Sequence, residues 1–282
     1  MMMNPTIFQS STFTAFRYTP SPSLCPFVHT IWGVKGYTFY QREIVLPSGG
    51  FELMVSFAEP HRVLAVGEKP VLETHRRFWV AGLHNQPLAI ESAGDSHVIG
   101  ISFWPGGAHA LLGRTLVGLL NQVVAADLLL GYEMNRLREQ IAAAQDLLAQ
   151  IEVIEQWLLS HLTPDEYAFC LVRRAIDTLD NTIGGMPIAQ LCDQLGLSNK
   201  HLITLFQQVV GISPKNLARI MRFKHLVRQI RGETVVNWAD VAYRFGYYDQ
   251  SHLIQEFRAL AGVTPQTYVQ QRAPNSTAMI GQ

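Results

Sequence analysis

Residues 188–214 and 238–265 carry one pattern twice, and a chain that repeats its punctuation this closely builds the same small unit twice. The first copy runs from Ile188 through Ala189, Cys192 and Gly196 to Leu202 and Phe206, then to Gly211, Ser213 and Pro214. The second runs from Trp238 through Ala239, Ala242 and Gly246 to Leu253 and Phe257, then to Gly262, Thr264 and Pro265. Ala189 matches Ala239 and Gly196 matches Gly246 at an offset of 50. Leu202 matches Leu253 and Pro214 matches Pro265 at 51, so the second copy has one extra turn residue.

Each shared position has a physical task. Gly196 and Gly246 follow about two helical turns, where a sharp reversal needs a positive φ. Cys192 and Ala242 are small, which lets two helices cross closely. Leu195, Phe245, Leu197 and Tyr247 plug the corner. Ser198 and Asp249 have the side chains of helix N-caps. Leu202 with Phe206, and Leu253 with Phe257, stand at i, i+4 and anchor one helix face. Gly211 and Gly262 end that helix, and Ser213-Pro214 and Thr264-Pro265 open the next. A helix, a glycine turn and a second helix with one buried face form a helix-turn-helix unit.

The segment joining the copies is predicted to be a helix starting at Pro214. It carries Arg219, Arg222, Lys224, Arg228 and Arg231, with no acid between Ser213 and Gly232. About 17 residues at 1.5 Å each make a rod of roughly 26 Å. Together with the width of the units, this sets the two second helices about one DNA turn apart, on the order of 34 Å. A solvated basic face explains the charges but not the repeat, so double-stranded DNA is the expected partner.

Formal net charge is zero over 282 residues. Acids outnumber bases by about three before Pro164, and bases outnumber acids by about three from Asp165 onward. The basic excess falls on the half that holds the repeat, which suits an anionic partner. Cys25, Cys170 and Cys192 are widely spaced and form no CxxC, which suits a reducing cytoplasm. Met1 to Thr14 has no signal-peptide pattern, and no apolar run reaches about 18 residues, so no membrane partner is expected.

The first 107 or so residues read as β-rich. Strand candidates are Phe27–Val34, Tyr37–Val45, Glu52–Phe57, Arg62–Val66, Phe78–Ala81, Leu88–Glu91 and Val98–Phe103, with turn residues between them. Pro105-Gly106-Gly107 closes this region, and a short helix is expected over Ala108–Leu112. Tyr132–Ala144 and Leu147–His161 have helical spacing. These two helices would pack on the β-domain or pair with a second subunit. Thr163-Pro164-Asp165-Glu166 reads as a helix start with Thr163 as cap. The expected fold is α+β: a β-rich sandwich or small barrel with helices, then an all-α domain. Residues 1–162 would be a regulatory domain (β-rich to about 107, helical over 108–162), 163–272 a DNA-binding domain and 273–282 a flexible tail.

The C-terminal residues resemble the AraC/XylS family of transcription regulators. The likeness lies in Gly196-Leu197-Ser198, Leu202 with Phe206, Gly211-Ile212-Ser213-Pro214, Phe245-Gly246-Tyr247, Asp249-Gln250-Ser251-His252-Leu253 and Gly262-Val263-Thr264-Pro265. It covers roughly Asp165 to Arg272 and implies two helix-turn-helix subdomains bridged by a long helix. Where the family often has arginine, this chain has Thr204 and Gln255, which cannot form the bidentate guanine contact. Gln255 suits adenine and Thr204 a thymine methyl. More loosely, Ile31-Trp32, Val45 to Gly49 and Val98 to Gly107 resemble the sensor-like domain fused to some members. The resemblance implies ligand sensing or dimerisation, with a small-molecule effector and, for an activator, RNA polymerase as further partners.

Candidate DNA contacts are Ser198, Asn199, Lys200, Ile203, Thr204 and Gln207 in the first unit. In the second they are Asp249, Gln250, Ser251, His252, Ile254, Gln255 and Arg258. Arg222, Lys224 and Arg228 are expected to meet phosphates. No catalytic, metal or cofactor residues are expected. His61, His75, His84, His97 and His109 are scattered without HxH or HExxH spacing, and no phosphate loop or nucleophile motif occurs. Two rival readings are a β-barrel metalloenzyme fused to a DNA-binding module, and a constitutive regulator with no effector.

Overall fold

The computed structural model describes residues 4–37, 42–58, 60–91, 94–233, 236–271 and 279–280. The N-terminal half is two antiparallel sheets. The strands are β1 (Thr6–Gln9), β2 (Phe13–Tyr18), β3 (Val28–Tyr37), β4 (Arg42–Val45), β5 (Glu52–Ser56), β6 (His61–Val66), β7 (Lys69–His75), β8 (Phe78–Ala81), β9 (Leu88–Glu91), β10 (Asp95–Phe103), β11 (Val123–Ala125) and β12 (Met279–Ile280). The larger sheet has the order β1-β2-β3-β10-β5-β8-β11 and the smaller β12-β4-β9-β6-β7.

The larger sheet is covered on both faces. Alternation along β5 sends Leu53 and Val55 into one core and Met54 into another. Met54 joins Val98 and Trp79 against Val63, Val66 and Leu88 of the smaller sheet. Leu53 and Val55 belong to a core that continues through the helices as far as Tyr268. A strand buried on both sides loses its polar alternation, which is why β5 and β10 read as plain apolar runs.

The helices are α1 (His109–Leu112), α2 (Asp127–Leu130), α3 (Glu133–Ala143), α4 (Leu147–His161), α5 (Glu166–Asn181), α6 (Ile188–Leu195), α7 (Asn199–Val209), α8 (Pro214–Gln229), α9 (Trp238–Arg244), α10 (Gln250–Ala261) and α11 (Pro265–Gln271), with a tight helical segment over Gly113–Leu119. In α3 and α4, Leu137, Ile141, Ile151, Ile154 and Leu158 are buried in the main core.

Several expectations shift. β8, β9 and α4 fall where the sequence puts them, while β1, β2, β7 and β11 were not foreseen. The candidate Tyr37–Val45 resolves into the last residue of β3 and all of β4, with residues 38–41 outside the described set. The cap of α5 is Asp165, not Thr163: its carboxylate accepts from Ala168 N–H at 3.2 Å. Thr163 instead donates its own N–H to Ala110 O at 2.7 Å, tying the α5 approach to α1. Two residues of the segment expected to fray, Met279 and Ile280, pair with Ile44 and Glu43 as an edge strand.

Candidate nucleic-acid interface

Both repeat copies fold as helix, turn, helix. Gly196 and Gly246 take nearly the same left-handed conformation, φ +67° and +68°. A β-carbon at either would meet nothing within 4 Å, so backbone conformation and not crowding demands glycine there. Cys192 and Ala242 are buried at the crossings, and burial followed by the nearby Asp193 raises the Cys192 thiol pKa. Ser198 Oγ accepts from His201 N–H at 3.2 Å, and Asp249 Oδ1 accepts from His252 N–H at 2.7 Å. These two side chains therefore work as caps of α7 and α10.

One face of each second helix is buried: Leu202, Leu205, Phe206 and Val209 in α7, and Leu253, Glu256, Phe257 and Leu260 in α10. The opposite face is open. Asn199, Lys200, Thr204 and Gln207 are exposed in α7, as are Gln250, Ser251, Gln255 and Arg258 in α10. Thr204 Oγ1 donates back to Lys200 O at 3.0 Å. Ile203 and Ile254 are half-buried, and Ile254 packs on the core edge. His252 is pinned: its Nδ1 accepts from Tyr248 N–H at 3.3 Å, and its Nε2 lies 3.4 Å from Glu256 Oε2.

The basic helix α8 does not present all its charges to one side. Lys215, Arg219 and Arg222 line a groove of about 780 Å³ between the two units, with His252 and Gln255 across from them. Arg219 pairs with the buried Glu256 at 2.9 Å. Arg222 donates to Gly184 O at 2.9 Å, and its guanidinium lies 5.3 Å from the centre of the Tyr247 ring. Burial drives the Tyr247 phenol pKa up, and the nearby Glu256 adds to the effect. Lys224 and Arg228 stand on the other side, where both oppose the charging of His29 in β3. Burial, then Arg228, depresses the Lys224 pKa.

Sequence reasoning expected Arg222, Lys224 and Arg228 as a phosphate-facing set. The structure brings Arg222 into an internal contact, while Lys224 is half-buried and Arg228 exposed on the opposite side of α8, their charges opposing the protonation of His29. It also brings forward Lys215, which was missed. The signal was present: at 3.6 residues per turn, positions 215, 219 and 222 share a face, whereas 224 and 228 lie about 180° and about 140° away from 215.

The N-terminal half touches both units and the helix between them. A β-carbon on Gly106 would meet Val209 Cγ1 of α7 at 3.2 Å, and one on Gly49 would meet Leu217 Cδ1 of α8 at 3.3 Å. One on Gly262, beyond α10, would meet Pro87 Cγ at 3.2 Å. Phe27 packs on Phe169 with ring centroids 4.8 Å apart, and Arg173 donates to Pro26 O at 3.0 Å. Between the two sheets, Trp32 Nε1 donates to Ser102 Oγ at 3.1 Å, and Ser102 donates to Glu52 Oε1 at 2.9 Å. Burial raises the Glu52 pKa. Among the described residues no three His, Cys, Asp or Glu side chains converge to hold a metal ion.

Two capped helix-turn-helix units with open second helices, joined by a basic helix, define a DNA-binding protein. Residues 191–271 match a family model described as a helix-turn-helix domain, and residues 16–125 match one described as a domain of unknown function (DUF6597). Residues 191–271 are a helix-turn-helix domain of the AraC type, and the chain is a DNA-binding transcription regulator. No curated protein matches the sequence. Among solved structures, ToxT from Vibrio cholerae aligns over 92% of this chain and 98% of its own at 11% identity, with a TM-score of 0.46. The C-terminal domain of AraT, a response regulator from Geobacillus stearothermophilus, aligns over 36% of this chain and 84% of its own at 24% identity and a TM-score of 0.33. Hydroxypropylphosphonic acid epoxidase from S. wedmorenis aligns over 36% of this chain and 59% of its own at 10% identity, with a TM-score of 0.29. These likenesses are too distant to carry more than the family match already does.

Proposed function

We propose that the chain is a sequence-specific regulator whose residues 1–162 adjust how residues 163–272 meet DNA. The exposed side chains of α7 and α10 would read or flank base edges in two successive major grooves, with Lys215 and Lys200 on phosphates. The observation that carries the regulatory part is the seat of the N-terminal half on α7, α8 and the end of α10 together. Any ligand or partner that moves this seat changes the relation of the two reading helices, and only a ligand with different affinity for the two arrangements can do so. The effector is proposed as a small molecule or partner held by the N-terminal domain. The Trp32–Ser102–Glu52 chain, polar within an apolar interlayer, supports a ligand there.

A homodimer is proposed through α3 and α4. Leu148 and Leu159 are exposed by 45% and 51%, and a spacing of 11 residues puts them on one face of α4. Among the described residues no helix is long and apolar enough to cross a membrane, and a cytoplasmic site of action is proposed. The test is a thermal-shift screen against metabolites, followed by DNA-binding titration with each hit. A hit that raises the melting temperature and changes operator affinity supports the reading. Silence across the screen favours a constitutive regulator.

A further inference from the structure

The extra residue of the second copy is Tyr248. Tyr247 matches Leu197 at an offset of 50 and Asp249 matches Ser198 at 51, so Tyr248 has no counterpart in the first unit. Its side chain is 93% exposed. A lone exposed tyrosine is ordinary on a protein surface. This one differs because its backbone is fixed while its ring is free.

The fixation comes from several sides. Tyr248 N–H donates to His252 Nδ1, and the preceding Tyr247 is buried with its ring edge-on to His252, centroids 5.4 Å apart at 85°. The following Asp249 is committed to capping α10. His252 in turn faces Glu256, which pairs with Arg219 of α8. The turn is thus tied to the bridging helix, and the phenol projects from it immediately before the N-cap of α10.

In helix-turn-helix docking the first helix crosses the DNA backbone, and the N-terminal residues of the second enter the major groove. A residue just before that second helix stands at the groove rim, where the sugar–phosphate chain runs. A phenol there has a hydroxyl donor for a phosphate oxygen and a ring face for deoxyribose. Tyr243, 85% exposed on α9, lies on the helix that crosses the backbone. We infer that Tyr248 clamps the DNA backbone at the rim of the groove entered by α10, its hydroxyl donating to a phosphate oxygen. The first unit, where Ser198 directly follows Leu197, has no such clamp. The two units are therefore unequal, the second being anchored by an uncharged contact.

This inference rests on the entry of α10 into the major groove, so its test carries an independent check of that reading. The full chain is titrated with a duplex selected in vitro from random DNA and with a random-sequence duplex. Y248A should weaken binding to both duplexes by roughly tenfold, the order expected for one hydrogen bond to a charged acceptor. Y248F should lose most of that affinity as well. The dependence on salt should keep its slope, because a neutral phenol displaces no counterion. The melting temperature should not change, since the side chain is exposed. Full affinity in Y248A overturns the inference, as does full affinity in Y248F or a fall in melting temperature that accounts for the loss. Intact DNA binding with reduced transcription in vitro also overturns it, pointing to a protein partner at Tyr248. Gln255→Ala run in parallel separates the two readings. If it alters base preference while Tyr248 is silent, only the clamp fails; if neither matters, the groove reading fails with it.

Discussion

Arg219 Nε lies 2.9 Å from Glu256 Oε1, joining the bridging helix α8 to the buried side of α10. Glu256 is 6% exposed and Arg219 39%. His252 approaches the other carboxylate oxygen at 3.4 Å. This pair ties the bridging helix to the second helix-turn-helix unit from its buried side.

Arg219→Ala leaves a buried carboxylate without its main partner. Breaking a fully buried pair costs about 3–5 kcal/mol. The partial exposure of Arg219 lets solvent screen the interaction, which reduces the expected loss to about 2 kcal/mol. Replacing both residues with Met should recover most of that stability in a denaturation series, because no charge is then left stranded. A double variant as unstable as the single one would contradict this role.

The two faces of α8 predict different responses to salt. Lys215→Gln should weaken binding to all sequences and reduce the slope of log affinity against log salt by about one unit. Lys224→Gln and Arg228→Gln should leave that slope unchanged, because both stand on the side of α8 away from Lys215, where their charges act on His29. The same loss of slope in all three variants would mean that α8 presents its opposite face to DNA.

Base reading separates from phosphate contact in the same assay. Gln255 is exposed on α10 and faces the groove between the units. Gln255→Ala should change preference at one base pair, by about 1–3 kcal/mol, and leave random-sequence affinity intact. A uniform loss on every sequence would remove Gln255 from base reading.

Stability should depend on pH through the N-terminal half. Burial holds His29, His61, His75, His84, His97 and His109 below the ordinary imidazole value of 6.5, with Lys224, Arg17 and Arg228 adding to the effect at His29. The unfolded chain takes up these protons first, so their stabilising contribution is present above pH 6.5 and is lost as pH falls below it. Glu43 and Glu52 act in the opposite sense. Burial raises both above 4.5, so their contribution is lost as pH rises from 4.5 through the raised values. Six histidines against two carboxyls predict a lower melting temperature at about pH 5.5 than at about pH 7. Glu52→Gln should raise stability at about pH 8 and change little at about pH 4. A melting temperature that rises on acidification would contradict the burial of these histidines.

Much of the C-terminal domain was legible in the residues because its pattern is local. Gly196, Gly246, Ser198 and Asp249 each act within four residues of themselves, and the repeat counts every such signal twice. The N-terminal half was less legible because its pattern depends on distant partners. β5 is buried on both faces by segments far away in the sequence, and β7, with Leu72 76% exposed, has no strong alternation to mark it. The start of α5 was misplaced because Thr163 spends its N–H on Ala110, a contact across 53 residues that capping rules cannot anticipate. The split of α8 into two basic faces was readable from helical spacing alone. What could not be read is that the charge of Lys224 acts on a β-strand histidine, His29, nearly 200 positions away in the sequence.

In the proposed complex, α7 and α10 enter two successive major grooves on one face of the duplex. Hydroxyl-radical footprinting with dimethyl sulfate protection, on a duplex selected for binding, tests it directly. The predicted result is two protected major-groove segments centred about 10–10.5 base pairs apart on the same side of the helix. Protection confined to one groove, or two segments on opposite faces, would contradict it.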